Sequence, residues 1–298
     1  MNASEAPPDR QPDVTLITAD AQAGIARLPD DSVDCLVTSP PYWRLRDCAR
    51  DTWTGGRPDR RHRPAGIGTG DDRSHRCQCR DCGARREHPQ IGPEPTADDY
   101  IDTLRTVFSS ACRVLTPHAT VWINLGDSYS TNSDGYWCAA PGQAGQPHYR
   151  PVADVPHKNL LGMPWRLALA LQGDGWILRS AIVWHKPHAT PTPIRDRLAT
   201  RHEMISLFVT QTEYYFSPDR SRGDIPHPLR WKSRAAASLP GCPPGGHVLD
   251  PFSGGGTTGV AARALGRRFT GIDTHPDYHR ITRRRLDRDH NSGQWGTR

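Results

Sequence analysis

Long hydrophobic runs, lysine and methionine are all scarce in this sequence of 298 residues. No apolar run approaches the ~18 residues that a membrane-spanning helix needs, and the polar, proline-rich residues 1–13 lack the basic-then-apolar pattern of a secretion signal. The 27 glycines and 28 prolines are too few for a collagen-like chain or for wholesale disorder. These absences predict a globular, cytoplasmic protein that has no membrane partner.

Basic residues exceed acidic ones by six, and their distribution along the chain is uneven. Residues 44–88 contain twelve arginines and seven acidic residues, a net charge of +5 in 45 residues. Such a local basic surface is typical of contacts with phosphate groups, although a solvated loop would have the same composition. Only three of the 38 basic residues are lysine, a bias that a GC-rich genome would also produce.

Segments with strand and helix patterns alternate along most of the chain. The apolar run at 33–38 is typical of a parallel strand that is buried on both faces, and Thr96 is a suitable N-cap for a helix. We predict a doubly wound, mostly parallel α/β sheet for residues 14–298, preceded by a flexible tail at 1–13. The predicted strands are 14–18, 33–38, 120–125, 176–184, 203–210, 248–250 and 269–273, and the predicted helices are 21–28, 96–115, 160–171, 257–265, 277–288 and a short one at 233–239.

A glycine-rich stretch from Asp250 to Thr258 lies between a predicted strand and a predicted helix. Three consecutive glycines allow the backbone to pass close to a ligand, and the following helix offers unpaired N–H groups at its start. Asp273 ends the next predicted strand, where acidic residues bind ribose hydroxyls in nucleotide-binding α/β folds. We therefore predict that Asp250, Gly254, Gly256 and Asp273 contact a nucleoside-containing ligand.

A second motif, Ser39-Pro40-Pro41-Tyr42, directly follows the predicted strand 33–38, at the edge where open α/β sheets bind ligands. The prolines fix the backbone, so the Ser39 hydroxyl and the Pro40 carbonyl point in set directions. Both groups are acceptors suited to a planar amino group, and the Tyr42 ring offers a face for stacking. The motif taken alone is equally compatible with an ordinary turn.

Taken together, the two motifs resemble those of the amino-directed, S-adenosylmethionine-dependent DNA methyltransferases. Their order, with 39–42 first and 250–258 last, is that of the circularly permuted beta class. The resemblance extends from residue 16 to residue 286 and includes the shorter segments 94–100, 113–115, 122–129, 163–166, 175–176, 184–187 and 202–203. It implies a Rossmann-like methyltransferase sheet with inserted irregular loops.

The resemblance also implies roles for the residues of both motifs. Ser39, Pro40, Pro41 and Tyr42 would form the catalytic site, where the amino group of a base flipped out of double-stranded DNA attacks a methyl group directly. Serine at the first position favours cytosine N4 over adenine N6 as the target, and a cognate restriction enzyme is an expected partner. The implied cofactor is S-adenosyl-L-methionine, held by Asp20, Asp250, Pro251, Phe252, Gly254, Gly256, Thr257, Thr258 and Asp273.

The basic segment contains three cysteines in a stretch of six residues: Cys77, Cys79 and Cys82. In a cytoplasmic chain such a cluster favours a metal site over disulfides. Cys79 and Cys82 have the C-x-x-C spacing of a zinc knuckle. We predict one structural zinc ion bound by these three cysteines and His62. The alternative interpretation is a cluster of free thiols.

Three irregular segments, 44–95, 128–157 and 187–246, flank the predicted strand ends and are expected to contact DNA. The leading hypothesis is therefore a site-specific DNA (cytosine-N4) methyltransferase. One alternative is an N6-adenine DNA methyltransferase. The other, from a different class, is a non-catalytic, zinc-containing DNA-binding protein on a methyltransferase fold.

Overall fold

The computed structural model describes the residues that form the sheet, its helices and the loops at the strand ends. These are residues 14–43, 52–57, 59, 79, 81–87, 91–92, 94, 96–130, 155–156, 158–187, 195–217 and 240–292. The predicted tail at 1–13 and the short helix predicted at 233–239 lie outside them, as does most of the segment 44–95.

Nine strands and five helices make up the regular structure of this part of the chain. The strands are β1 (Val14–Thr18), β2 (Val33–Thr38), β3 (Thr52–Thr54), β4 (Arg85–Glu87), β5 (Leu115–Leu125), β6 (Ile177–His185), β7 (His202–Val209), β8 (His247–Asp250) and β9 (Arg268–Asp273). The helices are α1 (Ala21–Ile25), α2 (Ala97–Cys112), α3 (Met163–Gly173), α4 (Thr257–Ala264) and α5 (Pro276–Ser292).

Seven of the strands form one twisted sheet in the order β1-β9-β8-β2-β5-β7-β6. β1, β9, β8, β2 and β5 pair in parallel, whereas β7 runs antiparallel to both β5 and β6. The predicted doubly wound, mostly parallel sheet is thereby confirmed. The first two strands of the chain lie beside the last two, so both ends of the sequence contribute to the same half of the sheet.

Helices cover both faces of the sheet because its central strands are apolar on both sides. On β9, Ile272 contacts Gly24 of α1, whereas Phe269, whose side chain leaves the opposite face, packs against Gly259 of α4. One core cluster joins α1, α2 and α3 to one face of the sheet, and a smaller cluster lies on the other face around Phe269 and Cys35. This two-sided burial is the reason that β2 reads as a continuous apolar run.

Several predicted boundaries differ from the observed ones because pairing overrides local periodicity. Leu115, predicted to be the last helical residue, opens β5 because it pairs with Val33 of β2. Helix α3 begins at Met163 and not at residue 160, because Leu160 forms a bridge with Tyr129 and Gly162 is left-handed at a φ of 67°. Helix α1 ends earlier than predicted, at Ile25.

The segment 44–95 is not wholly irregular, contrary to the prediction from its composition. β3 and β4 pair antiparallel as a separate two-stranded ribbon. They are only three residues each, which is too short for an alternating apolar pattern to be recognised. None of the helices in the part of the chain that the structure describes is long and apolar enough to cross a membrane.

Helix α2 has Thr96 as its N-cap, as its sequence predicts, and the structure adds the reciprocal contact of a capping box. The Thr96 hydroxyl accepts the Asp99 N–H at 3.0 Å, and the Asp99 carboxylate accepts the Thr96 N–H at 3.2 Å. We expect Thr96→Ala to lower the free energy of unfolding by about 1 kcal/mol, because the Asp99 N–H loses its acceptor. Urea denaturation followed by circular dichroism measures this loss.

The control for this change is Thr106→Ala within the same helix. Its hydroxyl donates to the Asp102 carbonyl within the helix, and a carbonyl there already accepts a backbone hydrogen bond. We expect no loss of stability there, since alanine is the better helix former. Equal losses in the two variants would contradict the capping role of Thr96.

Candidate active site

The two sequence motifs meet in a crevice between the carboxyl ends of β8 and β2. These strands are neighbours, and their ladder ends at the pair Leu36 and Leu249. The chain leaving β8 leads to β9 on one side, and the chain leaving β2 leads to β5 on the other. Such a reversal of strand order is where open α/β sheets bind their ligands.

A buried carboxylate, Asp250, joins the two sides of the crevice. Its Oδ1 accepts the Thr38 hydroxyl of β2 at 2.7 Å and the Phe252 N–H at 3.1 Å. Its Oδ2 accepts the Thr258 hydroxyl of α4 at 2.6 Å. One side chain therefore fixes the end of β2, the turn after β8 and the first turn of α4.

Burial sets the electrostatics of this carboxylate. Asp250 is 4% exposed, and this desolvation raises its pKa from 3.8 to about 6. The hydrogen bonds from Thr258, Thr38 and the Phe252 N–H oppose the shift, and the nearby Asp273 adds to it. The group is therefore poised to change protonation state only slightly below neutral pH.

The glycine loop after β8 is shaped by conformations that suit glycine. Gly254 and Gly256 have φ values of 46° and 74°. A Cβ on Gly256 would lie 2.2 Å from the Thr282 side chain of α5, whereas one on Gly254 would meet nothing within 4 Å. Arg285, also on α5, donates to the Gly255 carbonyl at 2.7 Å. α5 thus supports the loop at Gly255 and Gly256, and the Cβ direction at Gly254 remains open.

The acidic residue at the end of β9 binds the same loop. Asp273 accepts the Gly254 N–H through Oδ2 at 3.0 Å and the His275 N–H through Oδ1 at 2.8 Å. Just after the adjacent strand β1, Asp20 is exposed and accepts the Ala23 N–H at 2.8 Å, which makes it the N-cap of α1. The residues predicted for cofactor binding at the ends of β1, β8 and β9 therefore lie along one edge of the sheet.

The segment 39–42, which follows β2, is held in place by contacts that leave Ser39 exposed. Ser39 is exposed, Pro40 is buried, and the Pro41 carbonyl accepts the Tyr100 hydroxyl at 2.8 Å. The Tyr42 ring lies against Gly126 at the end of β5, so closely that a Cβ there would be 2.6 Å from Cε2. The structure thus brings the four predicted catalytic residues to the same edge as the glycine loop.

A chain of polar side chains, absent from the predicted site, continues from Tyr42. Asn124 of β5 donates to the Tyr42 oxygen at 3.3 Å and to Glu203 Oε2 at 3.0 Å. Glu203 of β7 also forms an ion pair with Lys186. Burial raises the pKa of Tyr42 well above its usual value, and the charge of Glu203 adds to this shift.

A further glycine was missed although its signal is present in the sequence. Gly254, Gly256 and Gly259 have the spacing G-x-G-x-x-G of dinucleotide-binding loops. Gly259 lets α4 approach β9, since a Cβ there would lie 2.6 Å from the Phe269 ring. This is the packing role that the third glycine of such a motif has.

The predicted metal site is described only in part. Cys79 is buried and Cys82 half-buried, whereas Cys77 and His62 lie outside the described residues. The Gly83 N–H donates to the Cys79 carbonyl at 2.8 Å, and the Cys79 N–H donates to the Ala84 carbonyl at 2.7 Å. Among the side chains that the structure does describe, no group of three or more His, Cys, Asp or Glu could hold a metal ion.

The fold and the two motifs at the strand ends define the class of protein. An α/β sheet with this strand order, a glycine loop after β8 and Ser39-Pro40-Pro41-Tyr42 after β2 is the arrangement of a methyltransferase. A family model described as DNA methylase, of the N6/N4 methyltransferases, matches residues 33–235 and 239–284. The chain belongs to this family.

Curated relatives cover nearly the whole chain. The type II methyltransferase M.Cfr9I of Citrobacter freundii is 35% identical over 301 residues, which is 91% of this chain and 87% of that protein. M.SmaI of Serratia marcescens is 33% identical over 299 residues, covering 91% of this chain and 90% of the relative.

Solved structures share the fold at low sequence identity. The PvuII DNA methyltransferase, described as cytosine-N4-specific, superposes with a TM-score of 0.59 at 15% identity, covering 93% of this chain and 89% of its own. A Thermus thermophilus protein, described as a putative DNA modification methylase and solved with S-adenosyl-L-methionine, gives a TM-score of 0.57 at 21% identity, covering 92% of this chain and 93% of its own.

The raised pKa of the buried Asp250 carboxylate can be tested directly. We expect a ¹³C NMR titration of aspartate carboxyl carbons to show one resonance with a midpoint near pH 6, and Asp250→Asn to remove it. Because the folded pKa lies above the unfolded value of 3.8, this group's contribution to stability is full below about pH 4 and is lost as the pH rises through 6.

A midpoint near 4 for the resonance that disappears in Asp250→Asn would contradict this electrostatic account. The Asp20 resonance, assigned through Asp20→Asn, serves as the comparison because that carboxylate is exposed and also accepts a backbone N–H.

Proposed function

We propose that this protein is a site-specific DNA methyltransferase that transfers a methyl group from S-adenosyl-L-methionine to the exocyclic N4 of cytosine. The observation that carries the proposal is the hydrogen bond from Thr38 to Asp250 at 2.7 Å. It fixes the residue before Ser39 directly against the residue that begins the glycine loop. A methyl donor held by the loop and an amino group held by Ser39 would therefore be neighbours.

The crevice has features that fit S-adenosyl-L-methionine. The Cβ direction at Gly254 opens into free space, so a ligand can approach the backbone there. Gly256, the N-cap of α4, has no side chain to occupy the helix N-terminus, and the half-exposed Phe252 offers an apolar surface beside it. Asp20, Asp250, Pro251, Phe252, Gly254, Gly256, Thr257, Thr258 and Asp273 would hold the cofactor.

The protein groups act on the nucleophile. When bound, S-adenosyl-L-methionine supplies an electrophilic methyl group on a sulfonium. An exocyclic amine is a poor nucleophile because its lone pair is delocalised into the base. Hydrogen bonds from its N–H groups to the Ser39 hydroxyl and the Pro40 carbonyl would favour a pyramidal nitrogen, whose lone pair is free.

Two further observations support DNA and cytosine as the substrate. The relatives M.Cfr9I and M.SmaI are type II methyltransferases, which supports site specificity, double-stranded DNA as substrate and a cognate restriction enzyme. The PvuII enzyme that shares the fold is cytosine-N4-specific, and serine occupies the first position of the motif here. The base would leave the duplex to reach Ser39, and segments 44–95, 128–157 and 187–246 would contact the DNA.

The product of the reaction decides between the target bases. We expect the purified protein, incubated with S-adenosyl-L-methionine and unmethylated plasmid DNA, to generate N4-methyldeoxycytidine, detected by chromatography and mass spectrometry of the digested DNA. N6-methyldeoxyadenosine alone would replace the cytosine proposal with its adenine alternative. Cofactor binding without any methyl transfer would support the non-catalytic DNA-binding hypothesis.

We expect Ser39→Ala to lower the rate of methyl transfer by about 100-fold, because one oriented acceptor is removed. The affinity for S-adenosyl-L-methionine, measured by calorimetry, should not change. The matched control is Ser110→Ala on α2, whose exposed hydroxyl donates to the Thr106 carbonyl and which should retain full activity. Full-rate methylation by Ser39→Ala would contradict the role given to this residue.

The turn between Cys79 and Cys82 supports the predicted zinc ion. Gly83, at a φ of 68°, directs its N–H to the Cys79 carbonyl, which closes a tight turn of the backbone between the two cysteines. The backbone of Gly56 in the β3–β4 ribbon approaches the Cys82 sulfur, since a Cβ there would be 2.8 Å from Cys82 Sγ. Such a C-x-x-C-Gly turn is suited to tetrahedral zinc, with Cys77 and His62 as the remaining ligands.

We expect metal analysis of the purified protein to find one zinc ion per chain, and Cys79→Ser and Cys82→Ser each to lose it. Cofactor affinity should stay unchanged, because the cluster is separate from the glycine loop. Cys112→Ser, which removes an exposed thiol on α2, is the control that should keep its zinc. A wild-type protein with no zinc would leave the interpretation as free thiols.

A further inference from the structure

Two adjacent carbonyl groups in the segment 39–42 have different environments. Pro40 and Pro41 have no N–H, so only their carbonyls can form backbone hydrogen bonds. The Pro41 carbonyl accepts the Tyr100 hydroxyl at 2.8 Å. Among the residues that the structure describes, none donates a hydrogen bond to the Pro40 carbonyl, the group proposed to receive the target amine. One carbonyl is therefore bound by the protein, and its neighbour is left for another donor.

The residue that binds the Pro41 carbonyl is itself held firmly. Tyr100 lies near the start of α2, and its N–H donates to the carbonyl of the N-cap Thr96 at 3.2 Å. Its side chain is fully buried in the core cluster that joins α1, α2 and α3 to the sheet. Burial also raises the pKa of Tyr100 well above its usual value, so the hydroxyl keeps its hydrogen at neutral pH. Tyr100 is thus a fixed hydrogen-bond donor.

Two further contacts join the same stretches of the chain. The indole N–H of the buried Trp43 donates to the Glu94 carbonyl at 3.1 Å. Gly92, at a φ of 119°, passes so close to Tyr42 that a Cβ there would lie 3.3 Å from the Tyr42 carbonyl oxygen. Successive residues after Pro40 are therefore all contacted by α2 or by the chain that leads into it.

The geometry of proline links the two carbonyls of the segment. The peptide bond between Pro40 and Pro41 is planar, and the Pro41 ring fixes its own φ, so the Pro40 carbonyl is rigidly attached to the Pro41 backbone. A hydrogen bond that holds the Pro41 carbonyl consequently also restricts the Pro40 carbonyl. Without this bond, a small rotation of the proline pair would carry the free carbonyl out of alignment.

We propose that Tyr100 is a positioning residue that acts through the Pro41 carbonyl to keep the Pro40 carbonyl oriented as an acceptor for the target amine. This inference rests on the proposed methyltransferase function. Tyr100 is fully buried, so its effect on the base is indirect and depends on the proline pair. The hydrogen bond at 2.8 Å also prevents the Pro41 carbonyl from competing with its neighbour for the amine.

The test is Tyr100→Phe, which keeps the buried ring and removes the hydroxyl. With unmethylated plasmid DNA, we expect the single-turnover rate constant for methyl transfer to fall about tenfold, because a displaced acceptor stabilises the transition state less. The dissociation constants for S-adenosyl-L-methionine and for DNA should stay within about twofold of wild type, since a buried side chain contacts neither ligand. Full-rate transfer by Tyr100→Phe would overturn the inference.

Two control variants separate positioning from general support of the fold. Tyr214→Phe removes a hydroxyl that accepts Arg179 Nε at 3.1 Å, beyond the end of β7 and so at the opposite edge of the sheet. Thr96→Ala weakens the start of α2 but leaves the Tyr100 hydroxyl in place. Both should keep the wild-type rate constant within about twofold. Equal rate losses in Thr96→Ala and Tyr100→Phe would assign the effect to helix stability and overturn the inference.

A double variant tests which acceptor Tyr100 serves. In a Ser39→Ala background, Tyr100→Phe should lower the rate constant by the same factor of about ten, because the Pro40 carbonyl is then the acceptor that remains. No further loss in this background would assign the effect to Ser39 and overturn the inference, while leaving the methyltransferase function intact. A wild-type protein that binds the cofactor and methylates no DNA would overturn both.

Discussion

The buried carboxylate of Asp250 is the constraint on which the rest of the site depends. Removing a charge from water is costly unless hydrogen bonds replace the lost solvent, and here two threonine hydroxyls and one backbone N–H do so. Each partner belongs to a different element, so satisfying the charge also fixes the end of β2, the turn after β8 and the start of α4. Where the backbone ladder of β2 and β8 ends, at the pair Leu36 and Leu249, the Thr38–Asp250 hydrogen bond continues the link between the two strands.

The strand direction of β7 explains why a second polar network lies beside the first. β7 is antiparallel to β5, so its first residues lie at the edge where the parallel strands end. Glu203 stands near the beginning of β7, and Lys186 follows the end of the neighbouring β6. Both charges are thereby brought to the carboxyl edge of the sheet, next to Tyr42. A fully parallel sheet would have placed the start of this strand at the opposite edge.

Local patterns in the sequence were sufficient to predict the strand β2 from its apolar run and the N-cap of α2 at Thr96. The two motifs could also be assigned to one edge, because strand ends of a parallel sheet coincide. The hydrogen bonds of Asn124 with Tyr42 and with Glu203 could not be predicted, since they join residues that are 82 and 79 positions apart and polar residues at such distances leave no periodic signal. The start of β5 was predicted at residue 120 and lies at Leu115. Pairing with Val33, which no local pattern indicates, makes Leu115 part of the strand.

The pairing of β1 with β9 and of β2 with β8 has a consequence for synthesis of the chain. The partner of the Thr38 hydroxyl, Asp250, lies 212 residues further along the chain. One edge of β2 therefore remains unpaired until the last fifth of the protein, which contains β8, has left the ribosome. Contacts of such long sequence separation form slowly. Ser39 and its neighbours are made early, but they gain their place only when the C-terminal strands arrive. A nascent or prematurely terminated polypeptide therefore contains the segment 39–42 without the strands that hold it in place.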